Sequence, residues 1–275
     1  MIFKNLNPFQ NIVAGSTAVL PVIDQGMTYE QIVLVLGGTT FPVSDITGLR
    51  LWLGGKKIWD VTGSDLAAIN AYYGITANAL ELPIIFADPN AKTLDEYLTG
   101  ALDTSPGYSS FNMEVDIAAG ASAPTLSAYA GISSPLAKDK AYAGMFRTLV
   151  KSIQSPSGVG QYGLPVPTGS AFGAFIKAIH YFNANITQLD VKKDSFALLQ
   201  NGVKQVYQAF QAQYGRAIQA GLFSWDPLAG KEYMNETVPT LRSDNSKANF
   251  EHLVTMSAAD TLRIYSDLYQ TYAAA

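Results

Sequence analysis

The segment Leu49-Arg50-Leu51-Trp52-Leu53-Gly54-Gly55-Lys56-Lys57-Ile58-Trp59-Asp60-Val61 holds two strand-like runs separated by two glycines. A tight hairpin turn needs positive φ at both central positions, which glycine adopts without a steric penalty. The spacing therefore predicts a two-residue hairpin. Leu53 faces Lys56, Trp52 faces Lys57, Leu51 faces Ile58 and Arg50 faces Trp59. One face then carries Leu49, Leu51 and Ile58. The other carries Arg50, Trp52, Lys57 and Trp59, with each indole opposite a cation. That second face is the candidate contact between domains or between subunits. Its plainer alternative is an ordinary sheet face of amphipathic side chains.

The same texture extends in both directions. Ile12–Val22 is rich in β-branched residues, and Gln31–Leu36 is a short apolar run stopped by Gly37-Gly38, as in a buried strand. Thr62-Gly63-Ser64-Asp65 resembles a helix cap, with Leu66, Ile69 and Tyr73 near one face and Gly74 as the stop. Further strands are expected at Leu80–Ala87 and Phe111–Ala118, with a short helical excursion at Thr93–Leu102. The small-residue stretch Gly120–Lys140 reads as a strand end and a connection. Beyond it, strands are expected at Met145–Ile153, Ala171–Phe182, Ile186–Lys192, Ala217–Trp225, Phe250–Met256 and Leu262–Tyr272. One long helix stands among them. Asp194 or Ser195 caps it, Phe196, Leu199, Val203, Val206, Phe210 and Tyr214 form its apolar stripe, and Gly215 ends it. A charge placed in that stripe, as in Val203→Asp, is expected to unfold its domain.

Each half of the chain thus reads as strands, one helix, then strands. The helix starts, Ser64 and Ser195, lie 131 positions apart, and both helices end in Tyr-Gly. Two similar β-domains in tandem are the simplest account. Many short strands with glycine and proline turns favour a sandwich or jelly roll. The division is expected between residues 135 and 136.

The chain has 275 residues, 18 basic and 22 acidic side chains and no cysteine. Disulfide frameworks, thiolate metal sites and cysteine nucleophiles are excluded. The net charge of −4 without a basic run argues against nucleic-acid binding. Charged residues make up 15%, against roughly 25% in a typical globular chain. Either the surface is polar but neutral, or neighbouring subunits cover much of it. No apolar run approaches the ~18 residues of a membrane span. The start Met1-Ile2-Phe3-Lys4-Asn5 lacks a signal-peptide pattern, so cytoplasmic synthesis is expected.

Catalytic signatures are missing from the sequence. The two histidines, His180 and His252, each lie in an apolar strand pattern and share no metal-ligand spacing. Gly169-Ser170-Ala171-Phe172-Gly173 misses the nucleophile-elbow spacing. No spacing pairs the carboxylates for acid–base work. Asp88-Pro89-Asn90 with Asp95-Glu96 offers oxygens for a structural calcium ion, but without the glycine and ligand spacing of a helix–loop–helix site. No catalytic residue, cofactor or other metal is assigned.

The segments Asn5-Leu6-Asn7, Asn11-Ile12-Val13-Ala14-Gly15 and Thr28-Tyr29-Glu30-Gln31-Ile32 resemble the opening of major capsid proteins of corticovirus-type bacteriophages. The resemblance continues through Leu49–Val61, the Asp65 helix, Ala123-Pro124-Thr125-Leu126-Ser127-Ala128 and the tail Thr261–Tyr272. It implies an all-β double jelly roll: two eight-stranded rolls, 1–135 and 136–275, each with a helix inserted in a loop. It also implies a structural virion protein rather than an enzyme. Implied partners are further copies of the chain in a pseudo-hexagonal homotrimer and an icosahedral lattice. Others are an internal viral membrane or its proteins, and separate vertex proteins. Two alternatives stay open at this point. One is a jelly-roll carbohydrate-binding protein, for which Trp52, Trp59 and Trp225 are few. The other is a β-sandwich hydrolase with paired carboxylates.

Overall fold

A computed structural model describes residues 2–91, 93–137, 144–229 and 237–275. The first half contains β1 (Ile2–Asn5), β2 (Thr17–Leu20), β3 (Thr28–Gly37), β4 (Ile46–Leu53), β5 (Lys56–Val61), α1 (Gly63–Tyr72), β6 (Glu81–Ile85), α2 (Leu94–Leu98), β7 (Leu102–Asp103), β8 (Phe111–Ile117) and β9 (Thr125–Ser133). The second contains β10 (Met145–Gln154), β11 (Gly160–Leu164), β12 (Phe175–Phe182), β13 (Ile186–Lys193), β14 (Phe196–Val203), α3 (Lys204–Gln213), β15 (Leu222–Trp225), β16 (Val238–Pro239), β17 (Phe250–Met256) and β18 (Leu262–Thr271).

The sheets repeat one plan. The first roll pairs β1-β9-β3-β6 in one sheet and β5-β4-β8-β2 in the other. The second pairs β10-β18-β12-β15 and β11-β17-β13-β14. Strand for strand, β1 corresponds to β10, β3 to β12, β5 to β14 and β9 to β18. Both α1 and α3 join the fifth strand of a roll to the sixth. Even the minor strands agree, since β7 pairs with β3 and β16 with β12. This is the double jelly roll the sequence led us to expect. The rolls are fused through one sheet of nine strands, because β5 runs parallel to β10 with Trp59 opposite Leu149.

Alternation explains the layers. In β3, Ile32, Leu34 and Leu36 point into the first core, and in β8 so do Phe111, Met113, Val115 and Ile117. Ile179, Tyr181, Leu189, Val191, Val254 and Ile264 fill the second core. The first core also takes in Phe146, Leu149, Phe182, Leu222 and Tyr265 from the second roll. The two rolls therefore share apolar burial as well as a sheet.

Three sequence expectations are corrected. First, Gly120–Lys140 contains a full strand: β9 lies between β1 and β3, with Leu126, Ala128 and Ala130 inward. Small residues suffice there, so the apolar signal is weak. Second, the hairpin register slips at a bulge. Trp52 pairs with Lys57 as expected, but Leu51 then pairs with Trp59 and Arg50 with Asp60. Ile58 is the extra residue, and Ile58 and Trp59 are both buried.

Third, the long helix is half strand. Asp194 and Ser195 have φ of 49° and 72° and form the turn between β13 and β14. They do not cap a helix. Phe196–Val203 is strand, and only Lys204–Gln213 is helical. The expected stripe faces outward: Val203, Val206, Phe210 and Tyr214 are all exposed. The expectation that Val203→Asp unfolds the roll falls with it, because this side chain is 46% exposed. By contrast α1 forms as expected. Thr62 accepts from the Asp65 amide at 3.2 Å, and Gly74 follows with φ of 76°.

Candidate functional site at the seam between the rolls

The chemistry-bearing side chains of this chain converge where the rolls meet. On β10, Arg147 is enclosed and makes a bidentate pair with Asp267 of β18, at 2.8 and 2.7 Å. Its third guanidinium nitrogen donates to the Ile85 carbonyl of the first roll at 2.7 Å. The guanidinium lies 5.3 Å from the Trp59 ring, whose Nε1 donates back to the Arg147 carbonyl at 3.0 Å. Burial pushes the Asp267 carboxyl up. The Arg147 guanidinium, His180 and Lys177 more than offset that and hold it well below the usual carboxylate range.

Three more polar contacts cross the seam. Lys177 of β12 pairs with Asp88 at 3.0 Å, both almost fully buried, and sits 4.7 Å over the Tyr73 ring. Arg263 of β18 holds Asp65 of α1 at 2.8 and 2.9 Å, and the Tyr265 hydroxyl donates to the same carboxylate at 2.6 Å. The Tyr72 hydroxyl donates to Asp226 at 3.1 Å, beside the Arg216–Asp226 pair at 2.7 Å. Backbone closeness is required at two glycines. A Cβ on Gly100 would lie 2.5 Å from the Tyr269 ring, and one on Gly54 would lie 2.2 Å from the Tyr272 hydroxyl. Both glycines also have positive φ, 89° and 55°.

The expected four-residue face is not one face. Arg50, Trp52 and Lys57 stay on the outer side of the central sheet. There Arg50 pairs with Glu114 at 2.9 Å and Asp116 at 2.6 Å, and Lys57 pairs with Asp60. The bulge sends Trp59 to the opposite side, into the seam, where its cation is Arg147 rather than Arg50. Two of the oxygen donors considered for calcium are already engaged. Asp88 is committed to Lys177 and to the Asn90 amide, and Glu96 accepts from the Thr93 amide in the capping box of α2. Among the described residues, no cluster of three or more histidine or acidic side chains could hold a metal ion.

Sequence reasoning missed Arg147, Lys177 and Asp267. The signal was partial: Lys177 is the one charged residue in the apolar run Phe175–Phe182, whereas Arg147 and Asp267 lie in strands that carry other polar residues. Lys and Asp are seldom enclosed without a partner, so such residues mark an internal pairing site.

His180 and His252 are structural. His180 Nδ1 lies 2.8 Å from the Ser224 hydroxyl, and His252 Nδ1 lies 2.6 Å from the Tyr181 hydroxyl. Burial lowers both pKa values, His252 to about 4; for His180, Asp267 opposes the shift only in part. Above pH ~6.5 both are neutral in the folded and unfolded chain. Below it the unfolded histidines bind protons that the folded ones refuse, so stability is lost as pH falls toward 4. For His252 the expected slope is about 1.4 kcal/mol per pH unit between pH ~6.5 and about 4, and His180 adds in the same direction. Urea midpoints measured from pH 7 to pH 4.5 check this, and a flat profile would refute it.

This geometry joins the two rolls through buried ion pairs and hydrogen bonds. Comparison with known proteins agrees. The model of the viral coat protein P2 N-terminal domain matches residues 3–133, and that of its C-terminal domain matches 147–272. The chain belongs to the viral coat protein P2 family. This coat protein has a structural role in the virion shell and is not an enzyme. Its fold is similar to that of the major capsid protein P2 from bacteriophage PM2, with a TM-score of 0.84, 21% identity, and 98% and 97% of the two chains covered. The capsid protein of the Sulfolobus virus STIV gives 0.68 and 12%, covering 98% and 96%. The PBCV-1 virus capsid gives 0.63 and 12%, covering 98% and 92%. A search of curated protein sequences returns no match. None of the chain's described helices is long and apolar enough to cross a membrane.

Proposed function

We propose that three copies of this coat protein close into a pseudo-hexagonal trimer, and that such trimers tile an icosahedral shell over an internal lipid bilayer. The observation that carries this is the strand-for-strand repetition of the two rolls around a rigid seam. A ring of three such chains presents six near-equivalent rolls, so a three-fold object can meet six neighbours. Five-fold positions cannot be filled by a six-roll ring, and a separate vertex protein occupies them. One loop-bearing end of each trimer faces the bilayer. The rolls divide between residues 135 and 136. Arg50, Trp52 and Lys57, on the outer wall of the central sheet, face a neighbouring copy. The low charge fraction fits walls covered by neighbours.

Size-exclusion chromatography with light scattering tests the trimer. The expected mass is about three times the 29.5 kDa of the chain. A monomer that persists at high protein concentration would overturn it.

A further inference from the structure

Helix α1 is apolar on every side once its first turn is past. After Asp65 it carries no charged side chain. A helix that is apolar all round is expected to be covered all round. Leu66, Ile69 and Tyr72 are covered by the first core. Ala67 and Ala71, one turn apart on the other side, are only half-buried. Their small side chains leave room, and they line a cavity of about 400 Å³. Pro42 and Val43 ahead of β4, Ile75 after the helix, and Leu82 and Pro83 of β6 bound the rest of it. Known small-molecule sites occupy roughly 300–1,000 Å³ and are lined in the same way, by apolar groups with a few polar ones. Residues 76–80 are exposed throughout, which leaves the cavity open on one side.

Two polar groups stand in this apolar lining with nothing to bind. Asn70 is 3% exposed, and its Nδ2 donates to the Pro83 carbonyl at 2.8 Å, while its Oδ1 accepts no hydrogen bond. A carbonyl can only accept, so the orientation of the amide is fixed and the atom left over is an acceptor. Native chains seldom leave a buried polar atom in that state without a reason. The second group is Glu81, the one carboxylate of the lining, which is half-buried and makes no ion pair among the described residues. Glu81 and Pro83 are two apart on β6 and share a face of the strand, so the carboxylate and the Asn70 amide lie on one side of the cavity.

We propose that this cavity binds a primary alkylammonium ion, with its aliphatic chain on the alanine side of α1 and its ammonium head at Asn70 Oδ1 and Glu81. The match is one of hydrogen-bond sense as well as charge. An ammonium offers three donors and no acceptor, and the wall offers an unused acceptor and an anion. A hydroxyl head satisfies Asn70 alone. A carboxylate head sets acceptor against acceptor and charge against like charge. The chain desolvates against apolar side chains while the head stays near the open rim, as long cationic side chains do on protein surfaces. The bound molecule covers the open side of the helix whose Asp65 holds Arg263 of the second roll, so it adds to the stability of the seam. None of this depends on the trimer reading.

Calorimetric titration of the full chain with octylamine hydrochloride, 1-octanol and sodium octanoate at pH 7 tests it. Octylammonium is expected to bind once per chain, octanol about two- to fivefold more weakly, and octanoate without saturation. Glu81→Gln is expected to bring octylammonium down to the octanol value and to leave octanol unchanged. Ala71→Phe, which puts a ring into the cavity from a half-buried helix position, is expected to abolish the binding of both at an unchanged melting temperature. Where that ring lowers the melt, Glu81→Gln decides alone, because it changes a charge and keeps the shape of the side chain. Three ligands that bind alike overturn the proposal. So does an octylammonium affinity that Glu81→Gln leaves unchanged, a folded Ala71→Phe chain that binds as wild type does, or a wild-type chain that takes up none of the three.

Discussion

Asp267→Ala is expected to cost about 3–5 kcal/mol of folding stability, because it leaves Arg147 charged and enclosed without its counter-ion. The pair is bidentate at 2.8 and 2.7 Å, and neither side chain reaches solvent appreciably. Burial opposes the charge on Arg147, yet Asp267 holds its pKa above even the usual arginine value. A guanidinium keeps its proton even when enclosed, so removal of the carboxylate is not relieved by losing it. Domains of this size are stable by roughly 5–15 kcal/mol, so the loss is a large fraction of the total. Urea unfolding should show it as a lower midpoint at unchanged slope. The paired variant Arg147→Met/Asp267→Leu should recover most of the loss, since an apolar pair of similar volume removes both charges together. A midpoint for Asp267→Ala within error of wild type would show that the seam does not depend on this pair.

The stability at stake lies in a part of the molecule that the sequence only half disclosed. The repeat was legible because both helices end in Tyr-Gly and because the apolar run Gln31–Leu36 and the alternation in Phe111–Ala118 mark strands clearly. The first helix was legible because Thr62 and Asp65 make a local cap, which depends on no distant residue. The second was misread because its stripe faces solvent: Phe196, Val206 and Phe210 have a helical period without a core to face. Periodicity reports that a face is apolar, not whether the same chain covers it. Strand β9 was missed for the opposite reason, since Ala128 and Ala130 satisfy the core with little hydrophobic signal. The seam pairs were beyond reach as pairs. Arg147 and Asp267 are 120 positions apart, and Lys177 and Asp88 are 89 apart. Only the topology brings them together.

Trp59 shows how one backbone irregularity separates two tryptophans that the sequence placed side by side. In a regular hairpin it would lie opposite Arg50 on the outer wall. The bulge at Ile58 turns it into the seam, fully buried, with its ring edge-on to Phe86 at 5.6 Å and its Nε1 on the Arg147 carbonyl. Trp59→Ala is therefore expected to cost about 3–5 kcal/mol, through lost burial, a cavity between the rolls and a stranded carbonyl. Trp59→Phe keeps most of the ring packing and loses the hydrogen bond, so a cost of about 1–3 kcal/mol is expected. Trp52 lies one bulge away on the outer wall and is only part-buried, so Trp52→Ala should cost less than half as much as Trp59→Ala. Urea midpoints of the three variants rank them. Equal losses at Trp52 and Trp59 would mean that the bulge does not divide the two faces, and that the indole at 59 is not what holds the rolls together.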